Sequence, residues 1–187
     1  MTSPSSLTTQ LVTLLATHSL RRGTFVLTSG QASSYYIDAR LTTMRADGLT
    51  IIGQLALRRF QTVDWHPTAV GGLTLGADPI AFSIALQSVT LLHPINAFTV
   101  RKEPKSHATR QQIEGPVTSS DRVVIVEDVL TTGGSALRAA AAIQTLGATI
   151  HGVLAVVDRQ EGGSEALITA GFEVQSLTTI TEILAIR

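Results

Sequence analysis

The sequence reads as an α/β protein with a mainly parallel central sheet flanked by helices. Three observations lead there. From about residue 68 onward, short β-branched apolar runs alternate with helical stretches of ten or so residues, the rhythm of βαβ units. The apolar runs are nearly continuous rather than alternating, as strands buried on both faces are. The 187 residues fit one domain with a sizeable core, and no internal repeat, linker or low-complexity segment divides residues 1–187.

The elements follow in order. Leu7, Leu11, Leu14, Leu15 and Ala16 recur at helical spacing, which predicts an amphipathic helix over Leu7–Leu20. Phe25–Leu27 and Tyr35–Ala39 read as two short strands joined through Ser29-Gly30-Gln31, a hairpin-like unit. Ala46–Val63 is helical, with Ile51, Ile52, Leu55 and Leu57 on its apolar side. Then come a strand over Thr68–Leu73, a helix over Asp78–Gln87, and strands over Ala97–Val100 and Arg122–Val126. A helix over Ser135–Leu146 is closed by Gly147, the residue type that tolerates the left-handed turn past a helix end. A strand over Ile150–Val157, a helix over Ser164–Ala170 closed by Gly171, and a strand over Phe172–Leu177 complete the chain.

The richest stretch is Val-Val-Ile-Val-Glu-Asp-Val-Leu-Thr-Thr-Gly-Gly-Ser, residues 123–135. A buried strand ends in two adjacent carboxylates, Glu127 and Asp128, at the edge where parallel sheets place their ligand crevices. Thr131, Thr132, Gly133, Gly134 and Ser135 carry little bulk, so backbone N–H groups can turn toward one point. That point lies at the start of the next helix, where orphan donors and the macrodipole favour phosphate. Carboxylates beside a phosphate nest suit a ligand with hydroxyls at one end and phosphate at the other, as in a sugar phosphate. The run is not a P-loop, lacking Gly-Lys-Ser/Thr, nor a Rossmann fingerprint, whose glycines follow the strand directly.

Composition excludes several function classes. Lys+Arg and Asp+Glu balance at 14 each, which offers no electrostatic footprint for nucleic acid or an anionic membrane. There is no cysteine, so disulfides, thiolate metal sites and cysteine catalysis are out. The N-terminal Met-Thr-Ser-Pro-Ser-Ser lacks the basic and apolar parts of a secretion signal. The apolar stretch from Ala69 to Ala97 is interrupted by Asp78, Pro79, His93 and Pro94, short of a bilayer span. A cytoplasmic protein is expected. His18, His66, His93 and His151 lack metal-ligand spacing, and Trp65 reads as packing.

Lys102–Asp121 breaks the rhythm, with Pro104, Gly115, Pro116 and serines and little to bury. Loops this long are usually lids or binding loops. Arg101, Lys102, Lys105, His107 and Arg110 give it a basic cluster, suited to closing over a polyphosphate and excluding water.

At this point the chain resembles the type I phosphoribosyltransferases, and within them the orotate phosphoribosyltransferase branch. The segment at residues 123–135 resembles their motif for phosphoribosyl diphosphate (PRPP). Phe25-Val-Leu-Thr-Ser-Gly-Gln-Ala-Ser-Ser-Tyr-Tyr-Ile-Asp-Ala-Arg40 resembles the hood on the orotate side, over about residues 1–40. Gly71–Asp78 resembles the loop facing pyrophosphate. Arg101-Lys-Glu-Pro-Lys-Ser-His107, with Ile113-Glu-Gly115, resembles the mobile catalytic loop, over about residues 102–121. The resemblance implies the type I fold and transfer of phosphoribosyl from PRPP to orotate with Mg²⁺, in pyrimidine synthesis. It implies PRPP binding by Arg101, Lys102, Lys105, His107, Glu127, Asp128, Val129, Leu130, Thr131, Thr132, Gly133, Gly134 and Ser135. Orotate contacts fall on Thr131, Arg159 and Tyr36, and catalytic roles on Lys102, Lys105, His107 and Asp128. Mg²⁺ is expected mainly through PRPP oxygens, with no metal site of the protein's own. His107, whose type has an unperturbed pKa near 6.5, is suited to give the leaving group a proton.

The chain departs from the pattern in three places. Thr28 and Leu75 stand where many members carry lysine, and Ala108 where a glycine usually follows the loop histidine. The backbone amides of Gly71–Gly76 are the expected substitute for the lost charge. Two alternatives stay open: transfer to another base, and a PRPP-sensing regulator that keeps the fold without the chemistry. The resemblance also implies a homodimer that shares the catalytic loop between subunits. Positive mean hydropathy and few charges are consistent with apolar surface for such a partner.

Overall fold

A computed structural model describes residues 4–26, 32–103 and 112–186, the side chains of residues 4 and 5 aside. Helix α1 (Pro4–Leu14) passes into a π-helical turn, Leu15–Ser19, so the expected first helix ends at the strand residue Leu20. Strands β1 (Leu20–Val26) and β2 (Ala32–Ile37) pair antiparallel as a separate two-stranded sheet. One turn of helix, α2 (Arg40–Thr43), then leads into α3 (Ala46–Thr62).

The remaining elements build the slab. They are β3 (Ala69–Leu73), α4 (Ala77–Ser88), β4 (Asn96–Val100), β5 (Ile113–Glu114) and β6 (Arg122–Leu130), followed by α5 (Gly134–Leu146), β7 (Thr149–Asp158), α6 (Gly163–Thr169), β8 (Glu173–Thr179) and α7 (Ile180–Ala185). Strand order is β5-β4-β3-β6-β7-β8, parallel except for the antiparallel edge β5. The sheet thus reverses its order of addition between β3 and β6, the kind of switch point where ligand crevices open.

Two apolar clusters cover its faces. One joins α1, α3, α4 and α7 through Leu11, Ile52, Ile80 and Ile183 to Val124 and Val126; the other joins α5 and α6 through Ile143 and Leu167 to Val123 and Ile125. Alternate residues at the start of β6 therefore face opposite cores, which explains the unbroken apolar run at 123–126. Glycines set the closest approaches: a Cβ at Gly71 would run into Phe98, and one at Gly152 into the Trp65 ring. Trp65 is buried, stacks near Phe60 with centroids 6.1 Å apart, and donates its Nε1–H to Glu173 Oε2 at 3.0 Å.

Four differences from the sequence reading have local causes. Strand β6 continues past Val126 to Leu130 because β7 keeps pairing with it, Glu127 opposite Ala155 and Leu130 opposite Asp158. The 102–121 segment buries more than expected: Ile113 and Val117 pack on the second core, and Ile113–Glu114 pair with β4. Helix α2 is too short for periodicity to reveal. Helix α7 is fixed by a capping box, in which the Thr179 hydroxyl accepts from the Glu182 N–H and the Glu182 carboxylate accepts from the Thr179 N–H.

The hairpin is fastened to the far end of the chain. Arg22 Nη2 donates to the carbonyls of Leu184 at 2.8 Å and Ile186 at 2.9 Å.

Candidate active site

A cavity of about 300 Å³ opens at the carboxyl ends of the parallel strands. Its wall combines the end of β2 and start of α2 (Tyr36 to Arg40), the β3–α4 turn (Leu73 to Gly76) and Lys102 after β4. Residues 127–129 of β6, Thr131, Ser135 and Arg159 close it. The slab's sequence-distant groups meet here because β3, β4, β6 and β7 run parallel.

Glu127 and Asp128 occupy the end of β6. Glu127 is only 7% exposed, and its burial, then its hydrogen bond and charge contact with Asp128, push its carboxyl up to about 9. At neutral pH the Glu127 carboxyl therefore keeps its proton and can donate it to a hydroxyl. Asp128 is locked by its own backbone: the Val129 N–H donates to Oδ1 at 2.8 Å. Gly76 lies directly against it, so that a Cβ there would sit 2.6 Å from the Asp128 carboxyl. The β3–α4 turn thus presses on the acidic pair through bare backbone.

After β6 the chain turns through Thr131 and Thr132 to Gly133, whose φ of +80° is the left-handed conformation glycine adopts without cost. Gly133 caps α5 with no side-chain hydrogen bond, leaving the first amides of a 13-residue helix to an external acceptor. The Thr131 carbonyl packs against Gly163, where a Cβ would collide, and this fixes the turn beneath the cavity.

Arg159 forms the other wall. Its side chain is 10% exposed, Nη2 holds Glu161 Oε1 at 2.6 Å, and the guanidinium lies 5.4 Å from the Tyr35 ring centroid. Its Nε is buried without a hydrogen-bond partner among the described residues. A buried unpaired donor is costly, so an acceptor arriving from the cavity gains a ready site. Asp158 shapes this loop by accepting from the Gln160 N–H and the Ser164 hydroxyl, each at 2.7 Å.

Of the residues expected from sequence, Tyr36, Lys102, Glu127, Asp128, Val129, Thr131, Ser135 and Arg159 line the cavity. Arg101 does not; it faces Glu114 at 3.6 Å, and its backbone bonds to Gln112. The Leu130 side chain is fully buried in the second core, and its carbonyl accepts from the Arg159 N–H at 2.9 Å. Thr132, Gly133 and Gly134 shape the turn without lining the cavity. Lys105 and His107, with Thr28 and Ala108, lie outside the described residues. Gly71 and Gly72 are paired within β3, so only the turn at Thr74–Gly76 brings backbone to the cavity; its Thr74–Leu75 peptide is cis.

Sequence reasoning did not single out Asp38 and Arg40. Arg40 donates Nε to Asp38 Oδ1 and Nη2 to Asp38 Oδ2, both at 2.9 Å, inside the cavity wall. Their signal was a lone acid–base pair at i, i+2 directly after Tyr-Tyr-Ile. No group of three or more His, Cys, Asp or Glu among the described residues is placed to hold a metal.

A parallel sheet whose central strand delivers an acidic pair to a small-residue turn and an uncapped helix N-terminus defines a phosphoribosyltransferase. The profile of the phosphoribosyl transferase domain matches residues 45–183. An orotate phosphoribosyltransferase from Rhodopirellula baltica is 44% identical over 176 residues, spanning 92% of this chain and 91% of that protein. One from Aquifex aeolicus is 45% identical over 160 residues, 86% of each chain. Among solved structures, the Mycobacterium tuberculosis enzyme in complex with PRPP superposes with a TM-score of 0.78 at 38% identity, covering 95% of this chain and 98% of that one. The chain belongs to the orotate phosphoribosyltransferase family.

Proposed function

We propose that this cavity joins orotate to the phosphoribosyl group of PRPP, giving orotidine 5′-monophosphate and pyrophosphate. The observation that carries this is one cavity holding three recognition elements: the Glu127–Asp128 pair, the uncapped start of α5, and the unpaired Nε of Arg159. The pair orients the ribose hydroxyls while the helix start receives the 5′-phosphate. Arg159, preset by Glu161 and Tyr35, presents its fork to the planar pyrimidine acid. Thr131 and Tyr36 complete the base side.

A nitrogen of orotate forms the bond to the anomeric carbon as the bond to pyrophosphate oxygen breaks. Positive charge grows on the ribose and negative charge on the leaving group. Lys102 on the cavity wall, with Lys105 and His107 from the loop, would meet that negative charge where it develops. PRPP oxygens, with few protein ligands beside them at the strand end, would suit Mg²⁺, which keeps several waters. Bound through PRPP oxygens, the ion would neutralise diphosphate charge. On this reading residues 1–187 act as one cytoplasmic domain, and two copies pair so that each lends its loop to the other. No helix among the described residues is long and apolar enough to cross a membrane.

The test offers purified protein PRPP and Mg²⁺ with orotate, uracil and purine bases in parallel. Orotate alone should be consumed, with pyrophosphate released one for one. Asp128→Asn, altered at a strand end and not in the core, should lose about a hundredfold or more in turnover with its circular dichroism unchanged. Preference for another base, or a fully active variant, would overturn the assignment.

A further inference from the structure

The charge inventory of the cavity leaves one cation without an assigned task. Its described carboxylates are Asp38, Glu127 and Asp128, and its described cations are Arg40, Lys102 and Arg159. Arg159 is engaged by Glu161 and Tyr35 on the base side. The β3–α4 turn brings no charge of its own, since Leu75, 55% exposed, stands at its tip. Among the described lining residues, Arg40 is the cation besides Lys102 that is not committed to the base side and can add to the charge that Lys102, the loop and Mg²⁺ bring to the diphosphate.

Arg40 is built for that task. Asp38 takes Nε and one N–H of Nη2 in a two-point contact at 2.9 Å each, which fixes the plane of the guanidinium. Nη1 has no hydrogen-bond partner among the described residues, and the side chain, which lines the cavity, is 46% exposed. Arg40 and Asp128 line the same cavity, and Arg40 feels the field of the Asp128 side chain. Asp38 has a second task that must be separated from this one: its Oδ1 accepts from the Arg40 N–H at 3.2 Å and so starts α2.

We infer that Arg40 binds the diphosphate of PRPP in this subunit, held in position by Asp38, and takes over a charge that the β3–α4 turn lacks. The inference rests on the PRPP-dependent reading of the cavity. Arg40 is a substrate-binding residue, and Asp38 is a positioning residue acting through it.

The experiment measures PRPP binding with Mg²⁺ by calorimetry, without orotate, alongside steady-state kinetics. Arg40→Gln should weaken PRPP binding about tenfold or more, the loss expected for a charge-assisted contact, while the KM for orotate moves less than twofold. Asp38→Asn keeps the acceptor that starts α2 but loses the charged fork, so it should weaken PRPP binding in the same direction with an unchanged melting temperature. The deciding variant is Arg40→Gln combined with Leu75→Lys, which returns a cation to the same cavity from the β3–α4 turn. It should recover most of the lost PRPP affinity, an outcome that a purely structural Arg40 would not give. PRPP affinity unchanged in Arg40→Gln, or lost and not recovered by Leu75→Lys, overturns the inference. Wild-type protein that fails to bind PRPP at all would instead sink the reading on which it rests.

Discussion

Glu127 shows how one buried side chain couples substrate recognition to stability. In the unfolded chain a glutamate ionises near its ordinary value, about 4.3, whereas in the folded protein burial and Asp128 raise it to about 9. Between those values the folded state binds the extra proton. Its contribution is fully present below the unfolded pKa and is lost as pH rises toward 9, at most about 1.4 kcal/mol per pH unit. Glu127→Gln removes that dependence. The unliganded variant should melt close to wild type near pH 5 and increasingly above it toward pH 8.5, by several degrees, while turnover falls. Thermal scans across pH check this, and a constant difference would mean that Glu127 is already ionised at neutral pH. The site was half legible at this scale. Arg159 is legible only through the family resemblance, whereas Glu127 and Asp128 announce themselves by residue type at a strand end. Asp38 and Arg40 do not, because their meaning depends on a neighbour reached only through the fold.

At the scale of elements, small residues decide how closely layers approach. Strands β6 and β7 slip register between Val123 and Val124, opposite Ile150 and Gly152, which bulges His151 out and seats Gly152 under Trp65. Gly152→Ala should therefore cost about 1–3 kcal/mol, as overpacking does, by pushing the indole off its bond to Glu173. Chemical denaturation measures the loss, and blue-shifted or quenched Trp65 emission should change with it; an unperturbed midpoint would show that the ring yields freely. The alternation of strands and helices was readable because each buries a long apolar pattern. Helix α2 and strand β5, at four and two residues, are too short to carry a period, and tertiary pairing alone creates them. The end of β6 was misjudged for a related reason: Glu127 and Asp128 look like the finish of a strand by composition, yet β7 extends the pairing through them.

The molecule as a whole places its acidic pair on the rigid slab and its loop cations on a separate segment. If two copies exchange loops, Lys105 serves the neighbour's PRPP and Asp128 serves its own. Mixing inactive Lys105→Ala and Asp128→Asn proteins then rebuilds one intact site in each mixed dimer. Random exchange should return roughly a quarter of wild-type activity. No recovery after verified exchange would mean that each subunit uses its own loop.

The clasp from Arg22 to the carbonyls of Leu184 and Ile186 has a consequence in time rather than in space. A two-stranded ribbon alone is marginal in water; β1–β2 is held at its base by Ile37, Leu20 and Tyr35 on the core and by the Arg22 clasp, so its outer end is expected to open and reclose more often than the six-stranded slab. Tyr36 rides on that ribbon, and Asp38 and Arg40 follow it directly. Substrate would thus arrive at a site whose one wall is permanent and whose other wall is intermittent, and occupancy would hold the ribbon down. Amide exchange in residues 20–26 and 32–37 should be fast in the free protein, slow with PRPP present, and fast again on loss of the Arg22 anchor. Loss of the Arg22 guanidinium, which does not line the cavity, should then shorten the residence time of the product.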